Sequence, residues 1–163
     1  MNTNKLVRAA LMTAIVVALT LIVLPLPVAN GYINLGDAGV YAAVGAVGGL
    51  WGVAAAAVGS ALTDLILGYS VYIPATFIIK GLAAFLAMVL LKRAKGFWRA
   101  LALLACGCLI AAGYLLFEGV FVLDSFAAAL VNLPFNLLQG LVGAVLGAVL
   151  VQLIDRLHLN TEK

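Results

Sequence analysis

Long apolar runs, separated by short stretches rich in glycine, proline or charge, make up most of the chain. Six runs are interpreted as membrane spans, because about 20 apolar residues in a helix cross the hydrocarbon layer of a bilayer. Strand-like alternation is absent, and helices satisfy their own backbone hydrogen bonds in lipid. The pattern therefore predicts an all-α integral membrane protein, a six-transmembrane-helix bundle forming a single domain over residues 1–163. The predicted spans are 6–24, 38–50, 52–67, 72–91, 98–117 and 132–154.

The second and third runs are short and share a glycine-rich joint over residues 48–52, so one long helix is the alternative there. The distribution of Lys and Arg favours two helices. With six spans, nearly all basic residues fall on one side, which the positive-inside rule makes cytoplasmic, as it does both termini. These residues are Lys5, Arg8, Lys92, Arg93, Lys95, Arg99, Arg156 and Lys163.

Composition supports a multi-pass protein of the lipid bilayer. The chain is 66% hydrophobic and 9% charged, whereas about a quarter of the residues in a soluble domain are charged. The net charge of +3 is explained by the basic residues on the cytoplasmic side of the predicted spans. The sequence has no arginine-rich stripe of the kind that binds nucleic acid. Cys106 and Cys108 have no neighbouring histidine, so their pattern indicates no metal site, disulfide framework or cofactor.

Polar side chains inside a bilayer are costly and mark functional sites. Here they concentrate in the halves of the spans that lie away from the basic residues, and the cytoplasmic halves have almost none. This distribution predicts a binding cavity that opens outward and is sealed inward, without a continuous pore. The candidate substrate-binding residues are Asn34, Asp37, Tyr72, Lys80, Tyr114, Glu118, Asn132, Asn136 and Gln139.

Lys80 lies deep in the fourth span, where an unpaired ammonium ion is costly. Glu118 is its expected partner; direct contact with the ligand and snorkelling to the interface are alternatives. We expect Asp37 to cap the second helix and Asp64 to be solvated at the outer surface.

Asn132, Asn136 and Gln139 have i, i+4, i+7 spacing and share one helix face. They form hydrogen bonds either to the ligand or to neighbouring helices. Tyr69, Tyr72 and Tyr114 either stack on a flat ligand or belong to the aromatic belt at the membrane interface. The sequence leaves both alternatives open.

Small residues at four-residue spacing mark close helix contacts. The pairs Gly45/Gly49 and Gly143/Gly147 are interpreted as packing contacts within the bundle. Ala10, Ala14 and Ala18 form a smooth stripe on the first helix, which serves either the same purpose or docking of a partner protein.

Four strings resemble the substrate-binding S components of energy-coupling factor (ECF) transporters, closest to the branch labelled riboflavin-type. Together with the alanine stripe, the resemblance covers nearly the whole chain. One departure is Asn132, where relatives often carry an acidic residue. The strings are Asn34-Leu35-Gly36-Asp37-Ala38, Asp64-Leu65-Ile66-Leu67-Gly68-Tyr69, Pro74-Ala75-Thr76-Phe77-Ile78-Ile79-Lys80-Gly81 and Leu133-Pro134-Phe135-Asn136-Leu137-Leu138-Gln139-Gly140.

This resemblance implies a protein of the prokaryotic cell membrane that binds a small vitamin-like ligand at its outer face. It implies that Ala10, Ala14 and Ala18 dock on a transmembrane coupling subunit, which binds two cytosolic ATPases. It further implies transport by toppling of the S component, with the first external loop as a lid. The chain itself lacks the Gly-x-x-x-x-Gly-Lys-Ser/Thr nucleotide-binding string, so ATP hydrolysis is expected in the partners.

Two other functions compete with this prediction. A self-sufficient small transporter or channel would use Lys80 and Glu118 along a path, but its inner half would be apolar. A membrane enzyme is disfavoured, because no paired-aspartate, metal-ligand or Ser-His pattern is present in the sequence. The ligand itself is left open among a flavin, a pyridoxine-type or pyrimidine compound, and a carboxylate such as lipoate.

Overall fold

Helices form most of the protein in a computed structural model, which describes residues 3–25 and 32–159. The predicted lid loop lies partly outside these residues, as does Lys163. The helices are α1 (Thr3–Thr20), α2 (Gly36–Val47), α3 (Gly49–Leu67), α4 (Ile73–Leu91), α5 (Phe97–Phe117) with a π-helical turn (Glu118–Val122), α6 (Phe126–Ala129) and α7 (Leu133–Arg156).

Five helices of the described part are long and apolar enough to cross a membrane: α1, α3, α4, α5 with its π-helical turn, and α7. Helix α2 has only 12 residues, or about 18 Å of rise, which is less than the hydrocarbon thickness of about 30 Å. The count of six crossings and the cytoplasmic placement of both termini stay predictions.

A small antiparallel hairpin departs from the predicted all-α architecture. Strands β1 (Val23–Pro25) and β2 (Tyr32–Asn34) pair so that Val23 faces Asn34. Each strand has three residues, too few for an alternating pattern to be recognised in the sequence.

Helix α2 is the centre of the bundle. Of its 12 residues, ten are buried, and it packs against α1, α3, α4 and α7. An apolar helix without a polar face belongs in an interior. Small residues permit close approach: a Cβ on Gly143 would lie 2.5 Å from the Asp37 Cβ, and one on Gly147 would lie 2.6 Å from Tyr41 Cδ2. The predicted packing role of the Gly143/Gly147 pair is therefore confirmed.

The chain reverses direction between α2 and α3 at Gly48 and Gly49, whose φ angles are 71° and 52°. Residues with a Cβ rarely adopt such positive angles, so glycine permits the break. Just past the joint, a Cβ on Gly52 would lie 2.8 Å from the Ala43 carbonyl oxygen. The two helices therefore fold tightly against each other, and the chain forms two helices here instead of one long one.

Apart from Lys80, the described basic residues gather at one end of the bundle, which we call the basic end. Arg8 on α1 donates a hydrogen bond to the Leu159 carbonyl oxygen beyond α7 (2.9 Å). Arg99 on α5 pairs with Asp155 on α7. A cavity of about 120 Å³ between these helices is also lined by Gly48 and Lys92. The α2–α3 joint and the end of α4 therefore lie at the same level.

Helices α2 and α4 end at the same level at the basic end. Because α2 is shorter than α4, α2 begins at a deeper level than α4 at the opposite end. There Asp37, in the first turn of α2, meets Lys80, which is seven residues past the start of α4 at Ile73. Seven residues correspond to about 10 Å of helix rise. Helix α2 thus forms a floor about 10 Å below the start of α4, and we call the region above this floor the polar end.

Candidate functional site

A buried ion pair lies at the floor of the polar end. The Lys80 ammonium ion donates a hydrogen bond to Asp37 Oδ1, and the two residues are 4% and 0% exposed. The prediction that Lys80 pairs with Glu118 was wrong, because the rotation of α4 directs its side chain toward α2. The capping role predicted for Asp37 was also wrong: it lies within the first turn of α2, which has no side-chain cap.

Gln139 links this ion pair to the hairpin. Its Nε2 donates a hydrogen bond to Asp37 Oδ2 (3.3 Å), and its Oε1 accepts one from the Asn34 backbone N–H (3.1 Å). The Asn34 side-chain oxygen in turn accepts a hydrogen bond from the Gly36 N–H (2.8 Å). One buried amide on α7 therefore joins the end of β2 to the start of α2.

Glu118 is the centre of a second polar group, nearer the start of α4. It is the first residue of the π-helical turn and is buried. Its Oε1 accepts a hydrogen bond from the Tyr72 hydroxyl (3.4 Å), and its Oε2 accepts one from Asn132 Nδ2 (2.9 Å). Three segments meet at this carboxylate: the start of α4, the end of α5 and the start of α7.

Aromatic side chains lie between the two polar groups. The Tyr114 hydroxyl is hydrogen-bonded to the Thr76 hydroxyl (2.9 Å), and the Tyr114 ring centroid lies 5.9 Å from Lys80 Nζ. Tyr72 lies 6.4 Å from the Tyr114 ring and 5.5 Å from the Phe117 ring, measured between centroids. Tyr69 contacts the outer edge of Tyr72 at 6.2 Å and is exposed.

Asn136 differs from the other two amides of α7. Asn132 and Gln139 form hydrogen bonds to other parts of the protein. This was one of the two alternatives left open by the sequence, the other being direct contact with the ligand. Asn136 is half-buried on the same face. Its side-chain amide makes no hydrogen bond to any part of the chain that the structure describes. It is therefore available to a molecule that enters the polar end.

Ser60 and Asp64 on α3 are buried rather than solvated, so the surface position predicted for Asp64 was wrong. Ser60 is 2% exposed and Asp64 is 6% exposed. The Ser60 hydroxyl and Asp64 Oδ2 have no hydrogen-bond partner among the described residues. Sequence reasoning missed Ser60, as it missed Thr76, although i, i+4 spacing places Ser60 and Asp64 on one helix face.

The alanine stripe of α1 lies on the outside of the bundle. Ala10, Ala14 and Ala18 are all exposed, whereas Met12 and Val16, on the other face of the helix, are buried. The stripe is therefore not a packing contact within the described chain. It leaves a flat, small-residue surface facing the surroundings.

The model of the family described as ECF-type riboflavin transporter, S component, matches residues 1–156 of the chain. No curated protein sequence matches it significantly. The family match covers every element described above, from α1 through α7.

Proposed function

Because the chain belongs to the family of S components of ECF-type riboflavin transporters, we propose that it captures riboflavin, or a vitamin of similar chemistry, at the outer face of the membrane. An S component is the substrate-specific part of a vitamin uptake system, so the chain is a membrane-embedded transport protein. Its family is a transporter component and not an enzyme family. This membership favours the S component over a self-sufficient transporter or channel.

The arrangement of charge supports capture from outside. The described basic residues other than Lys80 lie at one end of the bundle, which the positive-inside rule assigns to the cytoplasm of a prokaryotic cell. The polar and aromatic groups lie at the other end, above the floor formed by α2. A ligand would therefore enter from the side opposite the cytoplasm.

The chemistry of the polar end suits a flat, neutral vitamin. Tyr72, Tyr114 and Phe117 supply aromatic faces that can pack on an isoalloxazine ring. The Asn136 amide can both donate and accept hydrogen bonds. Lys80 is already neutralised by Asp37, which argues against a free carboxylate such as that of lipoate. Riboflavin combines a flat ring with hydrogen-bonding groups at both ends.

The exposed stripe of Ala10, Ala14 and Ala18 is the proposed docking surface for a transmembrane coupling subunit. Small side chains let two helices approach closely in lipid, and α1 is the least buried of the membrane-crossing helices in the described chain. Two cytosolic ATPases bound to that subunit would supply the energy for release to the inside.

Small molecules released by denaturing the purified protein would test the proposed ligand. Mass spectrometry is expected to find riboflavin or a related vitamin enriched over a mock purification from the same membranes. Titration of the unliganded protein with riboflavin, followed by quenching of flavin fluorescence, would give its affinity. A wild-type protein that neither retains nor binds a flavin would rule out riboflavin as the ligand.

A further inference from the structure

Two unpartnered oxygen atoms lie side by side along α3, inside the bundle. Ser60 and Asp64 are separated by one helical turn and face the same direction. The Ser60 hydroxyl and one carboxylate oxygen of Asp64 are buried without a hydrogen bond to the described residues. Nearby Thr63 is different, because its hydroxyl donates to the Gly59 carbonyl oxygen of its own helix (3.0 Å).

The Asp64 carboxylate belongs to the interior of the polar end. It lies beside the Thr76 hydroxyl and within electrostatic range of the Lys80 ammonium ion. Thr76 in turn bonds to Tyr114, so the carboxylate adjoins the aromatic side chains described above. Helices α3 and α4 pack against each other, and the Ser60 hydroxyl and Asp64 Oδ2 are buried.

Buried polar atoms without partners are uncommon in native proteins, because each unpaired atom destabilises the folded state. Two of them on one helix face indicate a place where another molecule supplies the missing donors. The local formal charge indicates which molecule. Asp37, Asp64 and Glu118 are buried at this end of the bundle together with Lys80, so three acidic side chains are present for one basic side chain.

We propose that Ser60 and Asp64 form a subsite that accepts hydrogen bonds from N–H or O–H groups of a neutral or cationic ligand and that disfavours anions. This inference rests on the proposed capture of a vitamin by the polar end. Riboflavin carries suitable donors, namely its ring imide N–H and the hydroxyls of its ribityl chain. A phosphorylated flavin would bring negative charge toward an excess of carboxylates.

Riboflavin titrations of the purified protein test the subsite through S60A and D64N. We expect S60A to weaken binding about 3–10-fold, the effect of one neutral hydrogen bond, and D64N to weaken it at least about tenfold, because a charged acceptor is lost. The matched control is T63V, which removes a buried hydroxyl that is already satisfied within α3. Wild-type affinity in both S60A and D64N would overturn the proposal.

Flavin analogues identify the donor and exclude an indirect effect. Lumiflavin lacks the ribityl hydroxyls, and 3-methylriboflavin lacks the imide N–H. Each analogue should bind the wild type more weakly than riboflavin does. In D64N, one of the two analogues should bind as tightly as riboflavin does. The group that this analogue lacks is the one that contacts Asp64. If both losses persist unchanged in D64N, the carboxylate contacts no ligand donor and the proposal fails.

Thermal unfolding of the unliganded protein decides the matter independently of the ligand. Residues that serve binding at the expense of stability can be replaced without loss of stability. The melting temperatures of S60A and D64N should therefore equal or exceed that of the wild type. A fall larger than that of T63V would mean that both atoms hold a structural water, which overturns the subsite. Should the wild type bind no flavin, the riboflavin assignment fails, and this measurement still decides the subsite.

Discussion

Asp37 and Lys80 are 43 residues apart in the chain and form the ion pair that joins the central helix α2 to α4. Gln139 completes the surroundings of Asp37 from α7. Two isolated charges would be very costly in this interior, whereas a pair with additional hydrogen bonds is tolerated. The pair therefore fixes where α2 meets α4 and sets the level of the floor of the site.

Removing one charge of this pair should destabilise the protein more than removing both. Lys80→Met leaves a buried, unpaired carboxylate, for which a loss of about 3–5 kcal/mol is expected. The double variant K80M/D37N should recover much of that loss. Thermal unfolding of the two single variants and the double variant in one detergent measures the coupling. Additive losses would mean that the two residues act independently. K80M should also weaken riboflavin binding, because the floor shifts.

The glycines of α7 that touch α2 should not tolerate a methyl group. In G143A the new Cβ would meet Asp37 Cβ at 2.5 Å, and overpacking of this kind costs about 1–3 kcal/mol. The control is G81A on α4, where the nearest atom, Ala57 Cβ, would lie at an ordinary 3.5 Å. G81A should retain or gain stability, since alanine is favoured over glycine in helices by about 0.5–1 kcal/mol. Equal melting temperatures for both variants would contradict the close contact.

Two amides on α7 should separate binding from stability. Asn136→Ala removes an amide that has no partner in the described protein, so riboflavin affinity should fall about tenfold, or about 1.4 kcal/mol, at a nearly unchanged melting temperature. Asn132→Ala breaks the hydrogen bond to Glu118 and should lower the melting temperature as well. The prediction fails if N136A binds like the wild type or if N136A alone unfolds early.

Docking on a coupling subunit should be separable from ligand capture. Ala14→Trp places a large side chain on the exposed stripe, so uptake into cells that contain the coupling subunits should fall to background. Riboflavin binding by the purified protein should stay within roughly twofold of wild type, because small-residue contacts serve helix association only. Ala112→Trp, at another exposed alanine on α5, is the matched control and should support uptake. Equal loss of binding in A14W would remove the docking assignment.

The sequence predicted where helices form better than it predicted which side chains meet. Apolar runs indicate helices because a backbone in lipid must form its hydrogen bonds internally. The glycine-rich joint indicates the break between α2 and α3, where Gly48 adopts a positive φ angle. The hairpin escaped detection because Val23–Pro25 and Tyr32–Asn34 are too short to show alternation.

Partners of buried charges depend on helix rotation, which the order of residues along one helix does not reveal. Glu118 lies near the start of α4, where it contacts Tyr72. Lys80 lies deeper, and α4 directs it toward Asp37 on the central helix. Asp64 is near the end of α3, a position typical of a solvated residue, but the packing of α3 against α4 buries it. Lys80 and Asp64 both lie at the polar end, but their contacts differ from the predicted ones.

The short length of α2 would set the thickness of the barrier that a captured vitamin still has to cross. With 12 residues, the central plug is about 18 Å thick, although the surrounding hydrocarbon measures about 30 Å. A vitamin that rests on the first turn of α2 would have covered roughly two fifths of the crossing before any ATP is used. The barrier that remains on the inner side would then be no longer than this one short helix.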